Sequence, residues 1–242
     1  GQQFRMTLHC GKTQELAVCS ESALKATNGE VIEDSGSLVY LGGLLVADGR
    51  SDSEVSRRIG AAAGDFRCLQ KVWGHAGVSR SRKIKLFRAI VVSKLQYGLA
   101  TLWLTNAQRK RLDGFCARCL RRILGIPASF ISRVSNARVY EKAEMQPLSE
   151  QVLRRQFLLL GKIARAPAGD PLRIDVFVGS SLLPQVGRFV RRIGRPRQEW
   201  ATEVMKAAAQ KLGSTARLEE LLQQRGESAE VNWKAAVESM FP

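Results

Sequence analysis

Between Asn106 and Gly125 the apolar residues Leu112, Phe115, Cys116, Cys119, Leu120, Ile123 and Leu124 recur at spacings of one, three and four. An α-helix gathers that pattern on one face, and no other regular element does. Arg111, Arg118 and Arg122 fall on the opposite face, with Lys110 and Arg121 beside them. Gly125 and Pro127 follow in the order that ends a helix. The apolar seam has to be covered by other elements, so the chain is expected to build a helical core around it. The other face has a different need. From Arg109 to Arg122 six basic residues stand against one acid, Asp113. A face meant only for water carries both signs, and a run this lopsided favours phosphate contacts. Such contacts position a nucleic acid without reading its bases.

The whole chain leans the same way. Thirty-eight Lys and Arg against 22 Asp and Glu leave a net charge of +16 over 242 residues. That balance points to a polyanionic partner, with nucleic acid ahead of an anionic membrane surface. The longest apolar runs, such as Ala89–Val92 and Phe157–Leu160, are too short to span a bilayer, and no membrane partner is expected. A second arginine run, from Arg188 to Arg197, has five arginines and no acid. Five cysteines without framework spacing argue for a reducing, intracellular compartment. The first residues already carry strand periodicity, so the sequence reads as a fragment of something longer.

Phe4, Met6 and Leu8 alternate with polar neighbours as in a half-buried strand, and Cys10-Gly11 turns the chain. Leu16-Ala17-Val18 is read as a second strand, Leu38 and Tyr40 as part of a third, and Leu44 and Val46 as the start of a fourth. At Ser51 the period changes. Ser51-x-x-Glu54 matches a capping box, and Val55, Ile59, Ala62, Phe66, Leu69 and Trp73 form one helical stripe with Arg57, Arg58, Arg67 and Lys71 off it. Further helices are expected from about Ser79 to Trp103, with Arg80, Arg82 and Lys83 in the first turn, and from about Leu148 to Arg165. The stretch from Ala166 to Pro171 resembles a linker, and short helices at 198–212, 215–224 and 229–240 complete the chain. The expected fold class is α+β, mostly α: a small N-terminal antiparallel β unit followed by a basic helical bundle. Its divisions fall at 1–50, 51–166 and 167–242.

Three motifs point to other chemistry, and each has a plainer account. Gly11-Lys12-Thr13 resembles the tail of a phosphate-binding P-loop, but the glycine that pattern needs five residues earlier is Met6. Cys116-x-x-Cys119 could be half a zinc site, yet both thiols lie on the apolar stripe, no second pair exists, and only His9 and His75 could join them. Gly194-Arg195-Pro196-Arg197 partly matches a minor-groove hook, with Ile193 where an arginine would precede it. The adjacent acidic pairs are Glu33-Asp34 and Glu219-Glu220, and no Asp-Asp occurs, so no metal site is read from the chain.

Four segments together resemble the C-terminal part of a non-LTR (LINE-type) retrotransposon reverse transcriptase. Leu8-His9-Cys10-Gly11-Lys12-Thr13 is similar to the L-N-x-x-K-T segment ending that family's palm, with His9 where asparagine is common. Tyr40-Leu41-Gly42 with Asp48-Gly49 resembles the strand and turn before the thumb. Arg118-Cys119-Leu120-Arg121-Arg122-Ile123-Leu124-Gly125-Ile126 is similar to the thumb helix, and Gly194-Arg195-Pro196-Arg197 with Trp200 to a distal segment.

The resemblance implies that residues 1–50 end the palm, 51–166 form the thumb, and 167–242 are a basic C-terminal region. It implies an RNA-directed DNA polymerase acting on an RNA template and DNA primer in the nucleus and cytoplasm. That enzyme's Mg²⁺ would sit on aspartates of an upstream palm and fingers, and this chain itself would bind no cofactor and no small-molecule substrate. Lys12 would approach the nucleotide's phosphates and Tyr40, Leu41 and Gly42 would support the primer end. Arg57, Arg58, Arg80, Arg82, Lys83, Lys110, Arg111, Arg118, Arg121, Arg122, Arg191, Arg192, Arg195 and Arg197 would grip nucleic acid. The alternatives are a stand-alone, non-catalytic nucleic-acid-binding helical protein and the remnant of a decayed element.

Overall fold

A computed structural model describes residues 13–18, 24, 25, 29, 31–185 and 198–241. It divides into two compact units, Gly1–Gly60 and Ala61–Pro242. The strand expected at Phe4 to Leu8 lies outside the described residues.

In the first unit β1 (Ser37–Tyr40) and β2 (Gly43–Val46) pair antiparallel, with Ser37 opposite Val46 and Tyr40 opposite Gly43. These are the expected third and fourth strands. The expected second strand at Leu16 to Val18 is not one. The Glu15 carboxylate accepts a hydrogen bond from the Leu24 amide at 3.0 Å, and Asp34 accepts one from the Ala17 amide at 3.4 Å. Side chains thus meet backbone groups that a ladder would otherwise need, and only an isolated bridge joins Glu15 to Asp34.

Leu41 and Gly42 close the hairpin with φ of 46° and 76°. Two left-handed residues in a two-residue loop make the turn whose twist matches the strands. Glycine adopts that conformation freely, whereas leucine there costs roughly 1–2 kcal/mol. The turn therefore needs support from outside itself.

The stripe from Val55 to Trp73 forms two helices rather than one. α1 (Asp52–Cys68) ends at Leu69, whose φ of −89° and ψ of 14° leave the helical well, and α2 (Gln70–Gly74) resumes beyond it. In the second unit α3 (Arg80–Leu86), a π-helical stretch (Phe87–Val92) and α4 (Ser93–Gln96) run on without interruption. The expected continuation to Trp103 fails because Tyr97 is extended and Gly98 takes a φ of 73°. Phe87, Val91 and Leu95 are buried, as their spacing requires.

α5 (Asn106–Leu124) is the helix foreseen from periodicity. The Gln108 amide donates to Thr105 Oγ1 at 3.3 Å while the Thr105 amide donates to Gln108 Oε1 at 2.9 Å, a reciprocal N-cap. Gly125 ends the helix at φ 69°. Two short helices, α6 (Ser129–Ser132) and α7 (Asn136–Lys142), lead to α8 (Leu148–Arg165). The linker-like run hides a helix start: Asp170 caps α9 (Pro171–Val176) by accepting from the Leu172 amide at 2.9 Å. α10 (Trp200–Leu212), α11 (Thr215–Gln223) and α12 (Glu227–Ser239) follow.

α8 is the axis of the second unit. It packs against α5 and also against α10, α11 and α12. Phe157 and Leu160 of α8 share one core with Val204, Leu222 and Trp233, so residues on both sides of position 166 are buried together. The molecule is α+β and mostly α, with a small antiparallel unit near its N-terminus.

Candidate nucleic-acid interface

The six cations counted between Arg109 and Arg122 do not share one environment. The Arg109 guanidinium lies over the Trp103 ring, 4.5 Å from its centroid, and donates from Nε to the Leu104 carbonyl at 3.1 Å. Burial lowers its pKa, against the raising influence of Asp113 and Glu203. Arg121 is 6% exposed. Its guanidinium donates to Pro127 O at 3.1 Å, Val134 O at 2.5 Å and Asn136 Oδ1 at 3.1 Å, with Ser132 Oγ at 3.4 Å. Arg121 therefore builds the loop after α5, and its expected role in gripping nucleic acid is corrected. The register alone does not show this: Arg121 falls on the side away from the apolar seam, and the loop from Pro127 to Asn136 folds back over that side to meet it.

Lys110, Arg111, Arg118 and Arg122 remain exposed along α5. Arg111 and Arg122 are eleven residues apart, a rise of roughly 16 Å. Asp113, the one acid set against this run, is turned to the interior. Its carboxylate accepts from the Ser149 amide at 2.8 Å and the Ser149 hydroxyl at 2.6 Å, closing the first turn of α8. The outer face is more one-sided than the sequence count suggests.

Beside the end of α5 lies a groove of about 750 Å³ lined by Arg67, Cys68, Gln70, Lys71, Trp73, Gly74 and Arg122. Three cations and no acid face it. Trp73 is buried, donates from Nε1 to the Phe66 carbonyl at 2.8 Å, and stacks on the Phe66 ring at 5.1 Å. Phe66 meets Phe87 edge-on at 6.0 Å, so the groove's wall is tied to the core. Arg67 and Lys71 were not among the expected site residues. Their position off the apolar stripe was visible, but the break at Leu69 that sets α1 and α2 around this groove was not.

Of the α3 residues, Arg80 and Arg82 are exposed in the first turn, whereas Lys83 is buried. Lys83 is therefore removed from the expected phosphate contacts: one turn before the buried Phe87, it lies on the helix's inward side. Lys12, Arg191, Arg192, Arg195 and Arg197 lie outside the described residues.

Arg57 and Arg58 are likewise engaged within the first unit. Glu54 is buried, and its carboxylate accepts from Arg57 Nε at 2.8 Å, from Arg58 Nε at 2.6 Å and from the Leu44 amide at 3.0 Å. Both guanidinium groups also donate to the Gly42 carbonyl, Arg57 at 2.7 Å. This is the support that the Leu41-Gly42 turn requires. The two arginines clamp the hairpin rather than present a phosphate grip, and Arg58, 7% exposed, is corrected on that ground. Tyr40 and Leu41 stand exposed at the clamped tip.

Burial alone would raise the Glu54 pKa, but hydrogen bonds from Arg57, Arg58 and the Leu44 amide outweigh it and hold the carboxyl below its ordinary 4.5. The sign follows from a depressed folded-state value: the stabilisation is complete above about pH 4.5 and is lost as pH falls through the lower folded pKa. Glu54→Gln is expected to speed hydrogen exchange at the Leu44 amide about tenfold at neutral pH, as a charge-assisted contact weakens. It should also abolish the acid transition of the Leu44 amide resonance in the parent protein. An unchanged exchange rate would remove Glu54 from the clamp.

Cys116 and Cys119 are core residues. Burial raises the Cys116 thiol pKa strongly and pushes Cys119 up to about 12, so both stay protonated at neutral pH. Among the described residues no three His, Cys, Asp or Glu side chains converge. No helix among them is long and apolar enough to cross a membrane. Comparison with protein-family models, curated proteins and solved structures returns no match.

Proposed function

We propose that this chain binds the phosphate backbone of a nucleic-acid duplex as the C-terminal part of a LINE-type reverse transcriptase. The observation that carries the binding is the groove faced by Arg67, Lys71 and Arg122 with no acid in its lining. Arg118, Arg111 and Lys110 extend the same charge along α5. Arginine suits this task because its planar fork donates to two phosphate oxygens at once.

The polymerase assignment rests on the sequence resemblance. On that reading the template–primer backbone lies against the α5 face. The tip at Tyr40, Leu41 and Gly42, held by Arg57 and Arg58, supports the primer end. Lys12 serves the incoming nucleotide, and Mg²⁺ belongs to aspartates of the upstream palm. This chain's own contribution is grip and positioning.

The test is the affinity of the 242-residue chain for an RNA–DNA hybrid across a salt series. Three phosphates held by the groove predict a log–log slope of about −2.7, steeper if the α5 residues add theirs. Binding insensitive to salt, or none at low ionic strength, would overturn the reading. The chain alone is expected to give no Mg²⁺-dependent incorporation of deoxynucleotides on a primed RNA template, and detectable incorporation would contradict the assignment of catalysis to an upstream palm.

A further inference from the structure

Phe130 is 83% exposed, more than any other large apolar side chain among the described residues, and its neighbour Ile131 is 65% exposed. They occupy the middle of α6, a four-residue helix that would ordinarily fold such side chains inward or do without them. This exposure is not slack in the chain. Arg121 reaches out of α5 to donate to Pro127 O and Ser132 Oγ on α6's flanks, and to Val134 O beyond it. The Ser132 hydroxyl donates to Pro127 O at 3.1 Å, and the amides of Ser132 and Arg133 donate to the carbonyls of Ala128 and Ser129, each at 2.9 Å. Arg133 ends the helix in the left-handed region at φ 53°, a conformation an L residue with a long side chain rarely keeps without reinforcement. A buried cation and a strained residue thus hold an aromatic and an aliphatic side chain out into solvent.

The surrounding charge selects the partner. From Gly114 to Tyr140 the chain carries five arginines and no acid. Arg121 builds the loop and Arg138 pairs with Glu141 at 2.5 Å, while Arg118, Arg122 and Arg133 are exposed and enter no ion pair among the described residues. An apolar knob on a segment that carries exposed arginines and no acid matches a ligand with flat apolar faces and a negative backbone. Every nucleobase offers a π-face to an aromatic ring, and apolar side chains act as wedges between base steps.

We propose that Phe130, backed by Ile131, stacks on an unpaired base where a duplex ends or frays, with Arg122 and Arg133 taking adjoining phosphates. The proposal rests on the nucleic-acid reading above and adds to it a preference for junctions over continuous duplex. Arg121 acts as a positioning residue that aims the wedge without touching nucleic acid.

The experiment compares the full chain with Phe130→Ala and Phe130→Trp on two probes: an RNA–DNA hybrid with a single-stranded overhang carrying 2-aminopurine at its first unpaired position, and the same hybrid blunt-ended. The parent should prefer the overhang and quench the analogue by stacking. Phe130→Ala should weaken overhang binding about tenfold, leave blunt-end binding within about twofold, and lose the quenching, whereas Phe130→Trp should retain all three. Its salt slope should match the parent's because no phosphate contact is removed. The ring is almost wholly exposed, so circular dichroism and thermal midpoint should not change. Equal overhang affinity in parent and Phe130→Ala overturns the wedge while leaving the phosphate interface intact. Absence of binding by the parent to either probe overturns the underlying reading as well. Loss of self-association in Phe130→Ala with overhang affinity unchanged would assign the knob to protein contact and also overturn the proposal.

Discussion

Gly161→Ala is expected to destabilise the second unit by about 3 kcal/mol or more, although alanine is the better helix former by about 1 kcal/mol. Gly161 is buried in α8, and a Cβ there would stand 2.1 Å from Trp233 Nε1, 2.3 Å from Cδ1 and 2.7 Å from Cε2. The indole cannot yield like the end of a flexible chain. It is 1% exposed, and its Nε1 donates to the Phe157 carbonyl at 3.0 Å. Moving the ring would break that hydrogen bond and open the seam between α8 and α12, leaving a buried N–H unpaired at a cost of about 1–3 kcal/mol. The thermal midpoint should fall by roughly 6–12 °C. Trp233→Leu in the Gly161→Ala background should recover part of the loss, giving a coupling of about 1–3 kcal/mol in the double-mutant cycle. A Gly161→Ala protein as stable as its parent would refute the close approach of the two helices.

Gly161 also shows where the sequence stops informing. Its neighbours Phe157, Leu160 and Ala164 follow helical spacing, and that pattern placed α8 correctly from Leu148 to Arg165. Nothing local says that a tryptophan 72 positions later packs against residue 161. Periodicity reports which face is apolar, not what covers it. The same division runs through the molecule. The end of α5 was legible because Gly125 acts at the terminus it serves, and its length followed from periodicity, whereas the reciprocal cap of Thr105 and Gln108 was found only in the structure. The break at Leu69 carries no glycine or proline, and α6 and α7 are too short to show a period, so those were not legible.

The candidate interface divides by similar logic. An arginine run announces a polyanion, but the fate of each guanidinium depends on acceptors brought near it by folding. Glu54 gathers Arg57 and Arg58 with the hairpin carbonyl of Gly42, and Asp113 turns inward to α8. The groove of Arg67, Lys71 and Arg122 exists only because two helices and the end of a third converge. Chemical type was readable at each of these positions, and availability was not.

Adjacent arginines on α5 therefore make the sharpest comparison. Arg118→Gln and Arg122→Gln should each reduce the magnitude of the salt slope for hybrid binding by about 0.9, and together by about 1.8, if each removes one phosphate contact. Both side chains are exposed, so stability should change by no more than about 0.5 kcal/mol. Arg121→Met should do the reverse. It removes a buried cation from hydrogen bonds to Pro127 O, Val134 O and Asn136 Oδ1, each charge-assisted bond being worth about 1.5–3 kcal/mol net. With solvent reaching part of the emptied loop, a net loss of about 3 kcal/mol is expected, read by denaturant unfolding. At salt and temperature where the variant remains folded, its slope should equal the parent's. If Arg121→Met flattens the slope as much as Arg122→Gln, Arg121 reaches a phosphate and the loop is not its purpose. If all three variants leave the slope unchanged, the outer face of α5 meets something other than nucleic acid.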